Sequence, residues 1–295
     1  MEKYSKFIDE IFTSPVIASQ TALEKYLPYL KAIREGKVLL LNAKPKLQAS
    51  FFDQLQNIIS PDQESNDDNV CVIPVNGLIT RYGSWFDYGA EDYVNMADEA
   101  FANPAVKAIV FRIDSEGGSV ASMIPFKDLM ARKEKPCIAA VDSSAMSVAY
   151  YLAAGADKIF AVDDMATVGS IGVMATITDT SKMYDQFGIK SIDIYPPESS
   201  YKNLDYRNAL KGDNKLLIDE VLTPLAKTFQ DYVRAQRKNL NESIPGTLEG
   251  RSFWAGYGTE NGLAAGLIDG VKSFNDILDF AFNYQTNSQA KKLFN

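Results

Sequence analysis

The residues of this chain that can do chemistry centre on Ser147, in a sequence of 295 residues that contains no histidine. Ser147 lies in Ala145-Met-Ser-Val-Ala-Tyr-Tyr-Leu-Ala-Ala-Gly155, inside a stretch (143–156) of small and apolar residues with one acidic residue before it. That composition reads as a buried helix with a hydroxyl near its start. Backbone N–H groups and the positive dipole end at such a start suit a developing oxyanion, so the serine is a candidate nucleophile. Without histidine its base must be another group. Lys202, in Ser200-Tyr-Lys-Asn203, is one candidate, because a desolvated lysine can be neutral near pH 7. Asp114, Glu116 and Asp142 compete, although a carboxylate is a weak base for a hydroxyl. The plainer reading makes Ser143, Ser144 and Ser147 helix-capping hydroxyls and Lys202 a solvated cation.

Two further segments belong with Ser147. Arg112-Ile-Asp-Ser-Glu-Gly-Gly-Ser-Val120 follows an apolar strand directly, and adjacent glycines there let the backbone approach a ligand and present N–H groups. Its alternative is a tight turn with a helix cap at Ser119. Val168-Gly-Ser-Ile-Gly-Val173 reads either as a strand with close backbone approach or as an extended edge to which a peptide adds as a strand. In the second case the Ser170 hydroxyl orients a catalytic group.

The elements that must position these residues alternate in type. Residues 70–75 form a β-branched strand, with Asn76-Gly77 turning into Leu78-Ile79-Thr80. Helix is expected over 88–103, 119–133 and 147–155, strand over 106–113, 136–141, 158–162 and 191–195, and a long amphipathic helix over 214–239. Strands separated by helices of this length imply a mostly parallel sheet with βαβ crossovers. In such sheets ligands gather outside the carboxyl ends of strands, where the Gly117–Gly118 and Ser147 junctions both fall. Residues 1–60 read as helices, 60–68 as an acidic linker, and 283–295 as a polar, disordered tail. The expected organisation is an N-terminal helical extension (1–68), a catalytic domain (69–282) and the tail.

Composition narrows the function classes. The net charge of −8 argues against nucleic acid or an anionic membrane as main partner. Cys71 and Cys137 each sit in an apolar strand-like run, as buried reduced thiols do, and give no metal-ligand spacing. No apolar leader or run of about 18 apolar residues is apparent, so the expectation is a cytoplasmic protein without a membrane span or cofactor.

The segments Asp114-Ser-Glu-Gly-Gly-Ser-Val, Ala145-Met-Ser-Val-Ala-Tyr-Tyr-Leu-Ala, Ala156-Asp-Lys-Ile, Val168-Gly-Ser-Ile-Gly-Val and Ser200-Tyr-Lys-Asn occur in that order. They are followed by Glu249-Gly-Arg-Ser-Phe-Trp-Ala-Gly and Gly262-Leu-Ala-Ala-Gly-Leu-Ile-Asp269. The ordered set resembles the signal peptide peptidase A family of serine–lysine peptidases, in particular its tailed-phage capsid-protease branch, over residues 70–282. The resemblance implies a Clp/crotonase-like α/β fold and a serine endopeptidase acting through an acyl-enzyme on polypeptides, such as phage or prophage head-assembly proteins. It implies Ser147 as nucleophile, Lys202 as base, Ser170 as the lysine's hydrogen-bond partner, and an oxyanion hole from the N–H groups of Gly117 or Gly118 and of Val148. It further implies a ring-like homo-oligomer, with Lys202 supplied in cis or by a neighbouring subunit. Two positions depart from the family pattern. Glu116 replaces a frequent proline, and Val148-Ala149 replaces two glycines, so a carboxylate beside the oxyanion pocket and a narrowed groove are expected. These departures motivate an alternative, a catalytically inactive assembly or scaffolding protein of the same fold. Acyl-CoA chemistry on the related crotonase fold is a third, for which Ser147, Ser170 and Lys202 would have no role.

Overall fold

The computed structural model describes Val16–Ile17 as backbone, and residues 69–84, 87–190 and 192–284. The remaining helices expected over 1–60, the acidic linker and the tail from residue 285 lie outside the described residues. Val16–Ile17 is a strand rather than part of a helix.

The strands are β1 (Val16–Ile17), β2 (Asn69–Ile79), β3 (Val106–Ser119), β4 (Cys137–Met146), β5 (Lys158–Ala161), β6 (Thr167–Gly169), β7 (Ser252–Trp254) and β8 (Gly270–Val271). They join in one sheet. The pairs β2–β3, β3–β4, β4–β5, β4–β6 and β5–β8 are parallel, while β1–β3 and β6–β7 are antiparallel. The mostly parallel α/β class with βαβ units is thus the observed one.

Parallel strands buried on both faces need apolar residues at odd and even positions, which is why 106–113 and 137–141 read as continuous apolar runs. Ile109, Phe111, Ile113, Cys137, Ala139 and Val141 face one core with α1 (Ala90–Ala102), α2 (Met123–Ala131) and α3 (Val148–Ala154). Ala108, Val110, Ile138 and Ala140 face a second, smaller core closed by Ile277 and Ala281 of the last helix, Phe274–Asn283. Cys71 and Cys137 are free and buried, each register-paired with Ile109 from opposite sides. Two strand spacings of about 4.8 Å separate them, too far for a disulfide. Burial pushes their thiols up to about 11 and about 12.

Several boundaries differ from the sequence reading for physical reasons. Asn76-Gly77 is not a turn; β2 continues to Ile79 with a register shift there and Gly77 at φ 70°. The glycine segment is not a turn either, since β3 stays extended through Gly117 and Gly118, held by pairing to Leu78 and Ile79. β4 likewise runs on to Met146. Residues 192–195 form no strand, with Ile192 and Ile194 80% and 87% exposed. The long helix is broken: α4 and α5 (Ser181–Gln186 and Leu204–Ala209) precede α6 (Lys215–Leu217), which passes through a π turn (Ile218–Leu222) into α7 (Thr223–Gln236). The final helix, α8, includes Asn283, so it reaches one residue into the expected tail. No described residue from 172 to 228 is buried.

The closing block Gly262–Asp269 is tied to the sheet by one carboxylate. Asp269 accepts from Arg237 Nη1 at 3.0 Å, Lys158 Nζ at 3.3 Å and the Ile159 N–H at 2.8 Å. Arg237, 8% exposed, also donates to the Gly266 carbonyl at 3.2 Å. Burial opposes ionisation of Asp269, but these donors and the Arg237 and Lys158 charges outweigh it and hold the carboxyl below its usual 3.8. A carboxyl depressed in the folded state contributes stability above its unfolded value, and that contribution fades as pH falls through the folded one. Asp269→Asn should therefore cost about 2–3 kcal/mol at pH 7, an unpaired buried arginine being the main loss after allowance for partial solvent access. In urea titrations the gap to the parent protein should narrow progressively below pH 3.8; a gap constant from pH 7 to 3 would contradict this assignment.

Candidate active site

The strand β4 delivers Ser147 at its end, and α3 starts on the next residue. Ser147 adopts φ 55°, ψ −124°, a conformation L-residues rarely take. The strain is held by two backbone bonds: the Ser147 N–H donates to the Gly169 carbonyl at 2.8 Å, and its own carbonyl accepts the Tyr151 N–H at 2.9 Å. This sharp strand-to-helix corner leaves Ser147 2% exposed, with an Oγ that has no hydrogen-bond partner among the described residues. Its side chain makes no cap bond to the helix, so the capping reading of Ser147 does not hold. Ser143 and Ser144 belong to β4, where Ser144 Oγ donates to the Ser115 carbonyl at 3.3 Å. They are not caps. Ser119 is one, accepting from the Ala121 N–H at 3.2 Å.

Val148 occupies the first helical position, where the N–H has no partner within the helix. Its side chain is fully buried in the main core, so it does not narrow a groove as expected. The Glu116 side chain is exposed rather than inward. Neither departure from the family pattern obstructs the corner.

The two glycines differ. Gly117, at φ 111°, donates its N–H to Ser115 Oγ at 3.1 Å, and that hydroxyl donates to the Gly77 carbonyl at 2.6 Å. Gly118 packs so closely on β2 that a Cβ there would lie 1.8 Å from the Ile79 carbonyl oxygen. The requirement for glycine at 118 is thus a backbone-to-backbone contact.

Ser170 is brought next to Ser147 through Gly169. It too has positive φ (51°), and its N–H donates to the Arg251 carbonyl at 2.9 Å. Lys202 is not brought in: it is exposed, and among the described residues its ammonium forms no hydrogen bond or ion pair. The carboxylate competitors are otherwise engaged or remote in character. Asp142 is clamped by Arg112 (3.1 and 3.0 Å), which also lies over the Phe274 ring, and Asp114 is exposed. The sequence reading gave no role to Ser115, Gly169 or Arg251. All three stand inside quoted segments, and strict spacing alone could not separate them from their neighbours.

Residues 130–285, more than half of the chain, match Peptidase family S49. The chain belongs to that family. Protease 4 of Salmonella typhi is 28% identical over 64% of this chain, and capsid assembly protease C of Escherichia phage lambda 24% identical over 71%. The chain spans 30% and 48% of those relatives' own lengths. Among solved structures, a mutant of the 1510-N membrane-bound stomatin-specific protease matches at 20% identity, covering 72% of this chain and 84% of that one, with a TM-score of 0.45. The resemblance read from the ordered segments, phage branch included, is therefore borne out. In this S49 chain, no helix among the described residues is long and apolar enough to cross a membrane.

Proposed function

We propose that this S49 chain is a serine endopeptidase with Ser147 as nucleophile and Lys202 as base, and that the lysine comes from a neighbouring copy. The observation that carries the reading is the Ser147 corner, a strained, buried serine whose hydroxyl has no hydrogen-bond partner among the described residues. An unmade hydrogen bond at such a hydroxyl is costly and calls for an explanation. A base supplied from outside the chain is one. The segment bearing Lys202 supports that origin, having no buried residue among those described from 172 to 228 and presenting Phe187, Ile192, Ile194 and Tyr201 to solvent. Exposed large apolar side chains in this number fit contact with a second copy.

In this scheme Lys202 Nζ takes the Ser147 Oγ proton as the oxygen attacks the scissile carbonyl carbon. The tetrahedral oxyanion is held by the N–H groups of Val148 and Gly118, Gly117 being committed to Ser115. The lysine ammonium then protonates the leaving amine as the C–N bond breaks. Water, giving a proton to the same lysine, attacks the acyl-enzyme, and the lysine passes that proton to Ser147 Oγ as the acyl C–O bond breaks. Ser170 orients the lysine. The lambda relative, named as a capsid assembly protease, supports head-assembly proteins as the substrate class.

A fluorophosphonate probe tests the reading. Stoichiometric labelling at Ser147 of the assembled protein is expected; no labelling would favour the non-catalytic assembly role instead.

A further inference from the structure

The edge of β3 beside Ser147 is already occupied. β2 pairs along one edge of β3 as far as Ile79 opposite Gly118. On the other edge β4 pairs only as far as Ala145 opposite Ser115, then turns away into the Ser147 corner. A strand has two hydrogen-bonding edges, so β1, pairing antiparallel with Val16 opposite Ser119 and Ile17 opposite Gly118, takes the edge that β4 vacates. Gly118 lies three residues beyond the last β4 pairing, and Ser147 two residues beyond it. The N-terminal strand therefore sits where a peptide added beside the nucleophile would sit.

The chemistry of the segment fits that place. From Ile11 to Leu23 the chain has no charged residue, and Val16-Ile17 is a β-branched pair within Thr13-Ser-Pro-Val-Ile-Ala-Ser-Gln20. β-branched residues favour extended backbone, and main-chain bonds to an open strand edge supply affinity whatever the sequence. The nucleophile's Oγ is, independently, out of contact with solvent and unpartnered.

We propose that the strand Val16–Ile17 is an intramolecular occupant of the peptide groove, competing with substrate for the β3 edge at Gly118–Ser119. This rests on the reading of that edge as the peptide-binding groove of a peptidase. Occupation by the chain's own strand makes the resting site closed and its opening a matter of displacing two residues of pairing, a small barrier for a longer substrate strand.

The test uses the full chain in a Ser147→Ala background, where no cleavage intervenes, and reads amide hydrogen exchange of the segment 116–122. Proline cannot donate to a ladder, so Ile17→Pro should release the edge and speed exchange there about tenfold or more. Adding the peptide Phe-Thr-Ser-Pro-Val-Ile-Ala-Ser-Gln should restore protection, and a scrambled peptide should not. Equal exchange in Ile17→Pro and its parent would overturn the proposal, as would failure of the peptide to restore protection. In the chain with Ser147 intact, Ile17→Pro should lower KM for a peptide substrate and leave kcat unchanged; an unchanged KM would also overturn it. Failure of fluorophosphonate labelling would instead remove the peptidase reading, and leave the exchange result to decide the strand's place on its own.

Discussion

Ser147→Ala is expected to abolish peptide hydrolysis, by roughly 10⁴-fold or more, and fluorophosphonate labelling with it, yet to leave the protein as stable as before or more so. Most buried serines are held by hydrogen bonds whose loss is felt in stability. This one has none to lose among the described residues, and removing a buried, unpaired hydroxyl relieves a desolvation cost of about 1–3 kcal/mol. Ser147→Gly should go further. At φ 55°, ψ −124° a side chain is strained, and glycine relieves about 1 kcal/mol of that relative to alanine after its own larger unfolded-state entropy is counted. Thermal or urea melts of the three proteins, set beside hydrolysis rates, check both halves. A stability loss of several kcal/mol in Ser147→Ala would mean that the hydroxyl has a structural bond, and would count against its reservation for catalysis.

The second large effect concerns Lys202. Lys202→Met should inactivate as thoroughly as Ser147→Ala, and do so without altering the melting of the isolated chain, because the exposed ammonium makes no hydrogen bond or ion pair among the described residues. If the base comes from a neighbouring copy, two dead proteins should revive one another. Equal amounts of Ser147→Ala and Lys202→Met chains, allowed to exchange subunits, give roughly a quarter of sites with an intact serine facing an intact lysine. Recovery of about that fraction of parental activity is expected. A mixture that stays inactive after verified exchange would place the dyad within one chain.

Much of the framework was legible because it depends on local rules. The continuous apolar runs of β3 and β4 announce strands buried on both faces, and the alternation with helices announces parallel pairing. The site residues near strand ends followed from the same logic. What escaped the reading depends on contacts distant in sequence. Two consecutive glycines look like a turn, but Gly117 and Gly118 stay extended because β2 lies against them, with Ile79 closer to Gly118 than any side chain would permit. Asn76-Gly77 likewise has turn composition and is a ladder irregularity. Ile192 and Ile194 alternate as a half-buried strand should, yet among the described residues they have no layer to pack on. Their pattern is consistent with a surface completed by another copy, which a search for strands within one sheet would misread. Lys202 belongs to the same stretch, and its proposed pairing with Ser147 is the one part of the scheme that neither periodicity nor the described residues display.

The two thiols, separated by Ile109 and pushed up in pKa by burial, have a practical consequence. With Cys71 and Cys137 the only cysteines in the chain and both shielded, the native protein is close to silent toward alkylating reagents at neutral pH. A single cysteine introduced anywhere on the surface would then be the sole reactive handle, with no need to remove the natural pair. Position 202 is the natural choice: its alkylation rate, followed as a function of protein concentration, would turn the chain itself into a gauge of when that surface becomes covered.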